Sequence, residues 1–442
     1  MGECRGIALC CGSLTPCDDL EGIHVAQKEQ VEQRKPSWRL IGPGIVVAAT
    51  GVGSGDLVAS LVAGERFGYA LLWAVVLGCI VKIALAEATG RWHLASGRTI
   101  FDGWRSMGLW TFVFFGPYVV LWGFVYGATA MSASALPLQA LFPAVPLWVF
   151  AVLAGISGLG FVWFNRYPAL ERAMTVLIGV LFVTVVGLAI YLLPDLGEMA
   201  TGLVPTAPPD SLFYTLGLIG GVGGTITMAC YGFWVNAKGW RDSRWIRMMR
   251  LDNRVAYITT GVFVVAMLIV GAELLHTAQI ALAEGDEGLL MLGEVLRDRF
   301  GTFVSVVFLI GFFAAAYSSL LGVWHGVSLM FADFVGNIRG LTERPVEERE
   351  ASWEFRGYLL WLTFPPMLLL LLGKPITLII AYGVLGSAFM PFLAFTLMWL
   401  LNTGRTPREW RNGIVSNVGL TIAGGLFLVL CGNEIWSQIT GA

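Results

Sequence analysis

Eleven runs of apolar residues, each about as long as a bilayer is thick, recur along this 442-residue chain and decide what it can fold into. They fall near 40–63, 69–92, 110–135, 146–165, 171–193, 213–236, 254–275, 302–332, 356–373, 375–401 and 413–432. A helix rises 1.5 Å per residue, so about 20 apolar residues cross the hydrocarbon core. Only 13% of the residues are charged, against about a quarter in a soluble domain. The expected class is an all-α polytopic membrane protein, with lipid as its solvent. A formal net charge of −2 argues against nucleic acid as a partner. The seven cysteines show no metal-finger spacing and no disulfide framework. Residues 1–38 read as a disordered tail, 39–432 as the membrane domain, and 433–442 as a short carboxyl-terminal tail.

Lysine and arginine sort the connecting loops. With the amino terminus in the cytoplasm, 22 of those from Lys28 onward lie on that side, including the run from Lys238 to Arg254, and four lie opposite: Arg66, Arg297, Arg299 and Lys374. The positive-inside rule then places the amino terminus in the cytoplasm and the carboxyl terminus outside, in a bacterial inner or plasma membrane.

Two runs are unlike the rest. The first contains "GVGSGDLVAS", with Gly51, Gly53, Ser54 and Gly55 ahead of a carboxylate, Asp56. The sixth contains "GLIGGVGGTITMAC", with glycines at 220, 221, 223 and 224. Unwound backbone at membrane depth is tolerated only where protein buries it or where it lines a wet cavity. Interrupted segments five helices apart, at matching places in two halves, point to an inverted-repeat transporter with a central site. The halves would cover about 40–193 and 213–401, with an added helix at 413–432. Close helix packing by small residues is the competing explanation of the glycines.

The residues resemble the Nramp divalent-metal transporter family over nearly the whole chain from Leu40. The likeness is carried by "GPG" and "GERFGY" in the first run, and by "LLWAVVLG" with "GRWHLASGRT" in the second. "GGTITMAC" in the sixth, "AYSSLLGVWHGVSLMFADF" in the eighth and "AYGVLGSAFMPF" in the tenth complete it. The resemblance implies a LeuT-like 5+5 inverted repeat with helices 1 and 6 broken. It also implies a divalent cation such as Mn²⁺, Fe²⁺ or Mg²⁺ as substrate, with no cofactor. By position it implies a site at Asp56, Gly53, Ser54, Thr225, Met228 and Tyr382, with Asp56 and Met228 as the metal ligands. The chain departs from the family pattern at several places. Gly53 stands where the family has its metal-binding Asp, Asp56 where it has Asn, and Ala229-Cys230 where it has Pro-His. Tyr382 replaces a Gln, and the third-helix acids fall near Gly127 and Ala130. Transport without the usual Nramp proton coupling is therefore expected.

The second run adds charges of its own, Lys82 and Glu87. An ion inside a bilayer is costly and usually faces a cavity or a partner. Lys82 is expected to face the centre and pair with Asp56; Glu87 sits four residues before Arg91, as an i,i+4 pair would. Glu87, Cys230 and His325 complete the set of gating or charge-coupling residues. Two other readings compete. A small anion or zwitterion could use Lys82 as a tethered cation, or the chain could be a membrane receptor that transports nothing. His24, His93, His276 and His325 are scattered, so no enzyme constellation is expected, and the chain reads as a monomer.

Overall fold

The computed structural model describes residues 34–192, 194–206, 208–209, 211–276, 286–341, 344–371 and 375–440. Among the described residues every regular element is helical. The first apolar run is split into α1 (Pro43–Gly51) and α2 (Ser54–Phe67). Pro43 opens α1, where its missing N–H removes a donor that would be unsatisfied anyway. Next come α3 (Leu72–Ser96) and the short α4 (Ile100–Met107). Gly97, at φ +67°, ends α3, and Thr99 with Asp102 caps α4 in a reciprocal capping box.

Two long helices follow, α5 (Trp110–Leu141) and α6 (Leu147–Phe164). Then α7 (Tyr167–Leu181) runs through a π turn at Phe182–Val186 into α8 (Gly187–Tyr191). The second half repeats the design. After the loop helix α9 (Leu196–Gly202), the sixth run is split into α10 (Leu212–Gly221) and α11 (Thr227–Ala237). It continues with α12 (Ile246–Gly271), α13 (Asp286–Ile338), α14 (Val346–Ala351), α15 (Trp353–Thr363), α16 (Met367–Leu370), α17 (Pro375–Asn402) and α18 (Ile414–Thr440).

Six helical stretches among the described residues are long and apolar enough to cross a membrane: Leu72–Ser96, Trp110–Leu141, Leu147–Phe164, Tyr167–Tyr191, Ser243–His276 and Gly293–Ile338. The first and sixth runs are missing from that set because their halves are only 9, 14, 10 and 11 residues long.

Several boundaries differ from the sequence reading. The eighth run starts at 302 as expected: α13 is two helical segments that meet at Gly301, whose φ of +86° and ψ of 166° are not helical, and the second segment extends beyond 332 to Ile338. The ninth run is interrupted after Thr363, where Pro365 and Pro366 break the helical hydrogen bonding, and resumes briefly as α16. The last helix runs past 432 to Thr440.

Packing at the centre depends on small residues. A Cβ on Gly64 of α2 would strike the Leu268 carbonyl of α12, and one on Gly271 would strike the Leu61 carbonyl of α2. The two backbones therefore lie in direct contact, the close approach that glycine permits inside membranes.

Candidate functional site

The two interrupted runs meet at their interruptions. A Cβ added to Gly51, the last residue of α1, would lie 2.7 Å from both the Cα and the carbonyl carbon of Gly223. Gly223 and Gly224 hold φ values of +83° and +75°, a region costly for any residue with a side chain. These glycines therefore turn the backbone between α10 and α11 and bring it against α1.

The first break is a single tight turn. Val52 takes φ −78°, ψ 71°, and the Gly53 N–H donates to the Gly51 carbonyl at 2.9 Å, an inverse γ-turn. A helix end leaves its last carbonyls without intrahelical donors. Here α13 supplies two. Ser318 Oγ donates to the Ala49 carbonyl and Ser319 Oγ to the Thr50 carbonyl, each at 2.8 Å. Tyr126 of α5 holds Ser319 through a 2.8 Å hydroxyl contact, and its ring lies 5.0 Å from that of Tyr382 on α17. One turn along α17, Gly386 makes room for Thr225, whose Oγ1 is 2.9 Å from the position of a Cβ there. Gly53, Ser319, Tyr126, Tyr382 and Thr225 thus surround the meeting point.

The second break is finished differently. Its freed Gly224 carbonyl accepts a hydrogen bond from Lys82 Nζ, and that ammonium lies 5.1 Å from the centre of the Phe427 ring. Lys82 is fully buried. Thr225 Oγ1 and Thr227 Oγ1 are buried, with no hydrogen-bond partner among the described residues. Met228, also fully buried, begins the packed part of α11. The side chains of Ser54 and Asp56 lie outside the described residues, so the expected pairing of Lys82 with Asp56 does too. Among the described residues no three of His, Cys, Asp or Glu converge on a common point.

Three expected residues stand apart from the breaks. Glu87 Oε1 pairs with Arg91 Nε at 3.1 Å and with Arg250 Nε at 2.9 Å, tying α3 to α12. Cys230 points across to α13, with Sγ 4.0 Å from Met330 Sδ. His325 is buried between Trp234, whose Nε1–H donates to Nδ1 at 3.3 Å, and Glu350, whose Oε1 is 2.9 Å from Nε2. That pattern assigns the ring proton to Nε2. Gly127, where the family pattern has an acid, packs against the Leu362 backbone and Pro366; a Cβ there would lie 2.5 Å from Pro366 Cγ.

Sequence reasoning missed the serine pair and the carboxylate of Asp252. Asp252 is fully buried and accepts from Gly42 N–H at 3.0 Å and Tyr231 O–H at 2.8 Å, supplying an acceptor for a free N–H at the start of α1. Adjacent hydroxyls in an apolar helix, and an acid in "RLDNRVAY", are signals that could have found them, since each must be satisfied inside the protein.

Two interrupted helices that abut at their breaks, packed among continuous ones, are the arrangement of the LeuT-like inverted-repeat fold. Solved structures bear out that fold. A manganese transporter from Eremococcus coleocola superposes with a TM-score of 0.74 at 16% identity, over 94% of this chain and 92% of that one. MhsT in complex with L-phenylalanine superposes with a TM-score of 0.60 at 17% identity, over 90% and 98%. The chain belongs to the natural resistance-associated macrophage protein-like (Nramp) family, which it matches over residues 44–437. Its relatives include proteins called divalent metal cation transporter MntH. The one from Deinococcus radiodurans is 24% identical over 91% of this chain and 90% of its own length, and the one from Mycobacterium leprae 26% over 70% and 74%. The chain is accordingly an integral membrane protein.

Proposed function

We propose that this protein carries a divalent metal cation across the membrane by alternating access around the two breaks, without the usual Nramp proton coupling. The observation that supports this most is the contact of Gly51 with Gly223, which brings both sets of freed backbone groups to one place. In the proposed site Asp56 is the anchoring carboxylate and Met228 a soft contact. Carbonyls of residues 53–55 and 226–227, with the hydroxyls of Ser54, Thr225 and Thr227, supply hard oxygen. Tyr382 closes the side that α17 faces. The oxygen donors suit Mg²⁺ or Ca²⁺, and the Met228 thioether a softer ion such as Mn²⁺ or Fe²⁺.

Lys82 is the feature this mechanism must accommodate. Its ammonium occupies the Gly224 carbonyl, a group the cation would otherwise use. In our reading Lys82 satisfies the empty break and swings away as the metal arrives, so that one positive charge replaces another. The absence of acids at Gly127 and Ala130 supports the loss of proton coupling. Cytoplasmic placement of the amino terminus follows from the loop charges, and Arg34 N–H on the Arg244 carbonyl at 2.9 Å puts the amino-terminal segment beside the most basic loop.

A second reading, a carrier of a small anion, draws on the same Lys82 nitrogen. Purified protein in liposomes separates the two. Metal transport predicts uptake of Mn²⁺ or Mg²⁺ that an imposed pH gradient leaves unchanged. No flux of either ion, or of Fe²⁺, at any gradient would end the cation reading.

A further inference from the structure

Away from the breaks, on the face bearing the amino-terminal segment, the helices part around a cavity of about 570 Å³. Both halves of the molecule build its wall. The α3–α4 turn and α4 supply Arg98 and Arg105, the segment after α11 supplies Arg241, and the α13–α14 region supplies Arg344 and Arg349. Five guanidinium groups share that wall with one carboxylate, Asp102, and Asp102 is engaged: its Oδ2 accepts from Thr99 N–H at 2.9 Å and from Thr99 Oγ1 at 3.0 Å.

Acids behind the wall neutralise only part of this charge. Asp333 pairs with Arg349 at 3.0 Å, and Glu354 approaches Arg344 at 3.7 Å while also binding Arg339 at 2.7 Å. Arg98, Arg105 and Arg241 have no acidic partner among the described residues. Asn337, which lines the cavity and is fully buried, has neither amide atom hydrogen-bonded, and Arg344 leaves Nε and Nη2 without acceptors, among the described residues. Buried polar groups in native proteins are nearly always satisfied, so these mark where a ligand's atoms belong.

Those requirements select the ligand. It must be anionic, present several oxygens to forks approaching from different directions, and fit a small-molecule volume. A planar carboxylate serves one or two guanidinium groups, whereas a tetrahedral phosphate serves three or more and, when singly protonated, can also donate to Asn337 Oδ1. We propose that this cavity binds the phosphate group of a phosphorylated small molecule or of a phospholipid headgroup. Its charge also bears on transport. Unfilled, the arginine wall opposes the passage of any cation near that face, and a bound dianion removes the opposition. The site itself stands whatever the cargo is.

The full chain is purified in maltoside micelles, which contain no phosphate, and titrated with inorganic phosphate by calorimetry. In a second arm it is supplied with phosphatidic acid, and retained lipid is counted by native mass spectrometry. Saturable binding is expected in at least one arm, weakened at least tenfold in R98Q/R241Q and unchanged in R408Q, which alters an arginine outside the cavity. Arg98 and Arg241 are exposed, so the double variant should fold; R98K/R241K, retaining both charges, should keep most of the binding. Binding in the first arm alone identifies a soluble phosphate, and in the second alone a lipid headgroup. Binding in neither arm, or equal losses in R98Q/R241Q and R408Q, would overturn the proposal.

Discussion

The two breaks occupy matching positions in the two halves of the molecule, yet they are finished by opposite means. In the first, the helix-end carbonyls meet neutral donors: Ser318 for Ala49 and Ser319 for Thr50, both on the packed helix α13, and for Gly51 the Gly53 N–H of the turn itself. In the second, the freed Gly224 carbonyl meets the tip of a long flexible lysine, while the threonine hydroxyls beside it stay unpartnered among the described residues. A serine hydroxyl has a single heavy-atom torsion, so its reach is confined to the wall of its own helix. A lysine ammonium can rotate away on its four-carbon stem. Under the proposed mechanism the first break would be the rigid half of the site and the second the half that changes partners.

The strongest way to break this comparison is to remove the backbone freedom that lets the halves touch. Gly223 sits at φ +83°, and a Cβ there would lie 2.5 Å from Tyr257 Cε1, in a ring that is fully buried. Left-handed backbone costs a side-chain-bearing residue about 1–2 kcal/mol before any clash is counted. Gly223→Val should therefore abolish transport, by more than tenfold, and lower the melting temperature of the purified protein. Wild-type uptake rates in this variant would mean that the contact is incidental.

Replacing Lys82 tests the half that changes partners. Lys82→Met keeps the stem and removes the charge, leaving the Gly224 carbonyl unpaired at a cost of about 1–3 kcal/mol in the empty state. A metal that can satisfy that carbonyl gains from its release, so uptake of Mn²⁺ at low concentration should hold or rise by about tenfold at most. Loss of all uptake would instead favour the anion reading. The serine caps make the opposite prediction. Ser318→Ala with Ser319→Ala removes two hydrogen bonds worth about 1 kcal/mol each, which should appear as lower thermal stability with flux changed less than about threefold.

Much of this was legible in the chain itself. Glycine clusters five helices apart announced two breaks, because glycine most readily lets backbone turn and touch inside a bilayer. Lys82 announced itself as a charge with nowhere apolar to go. What the sequence did not disclose was partner choice. The carbonyl of Gly224, which accepts from Lys82, has no sequence signature, because a lysine reaches several angstroms in any direction. Glu87 and His325 drew attention as charges in apolar runs and lie in ion pairs and hydrogen bonds away from the breaks, where Arg250 and Glu350, distant in sequence, meet them. Such contacts depend on how helices cross, which periodicity does not encode. The ninth run was read as unbroken for a similar reason, since a double proline interrupts a helix more sharply than hydropathy does.

The smallest expected effect sharpens the comparison at its most informative position. Gly53 stands where the family pattern has a metal-binding acid, and its φ of −84° and ψ of 168° are open to any residue. A Cβ there would lie 3.2 Å from Ser319 Oγ and meet little else. Gly53→Ala should therefore fold normally and change Mn²⁺ uptake by no more than about twofold, because in the rigid half the glycine is not required by the backbone. Were Gly53→Ala as damaging as Gly223→Val, the first break would have to move during transport, and the assignment of fixed and changing halves would be reversed.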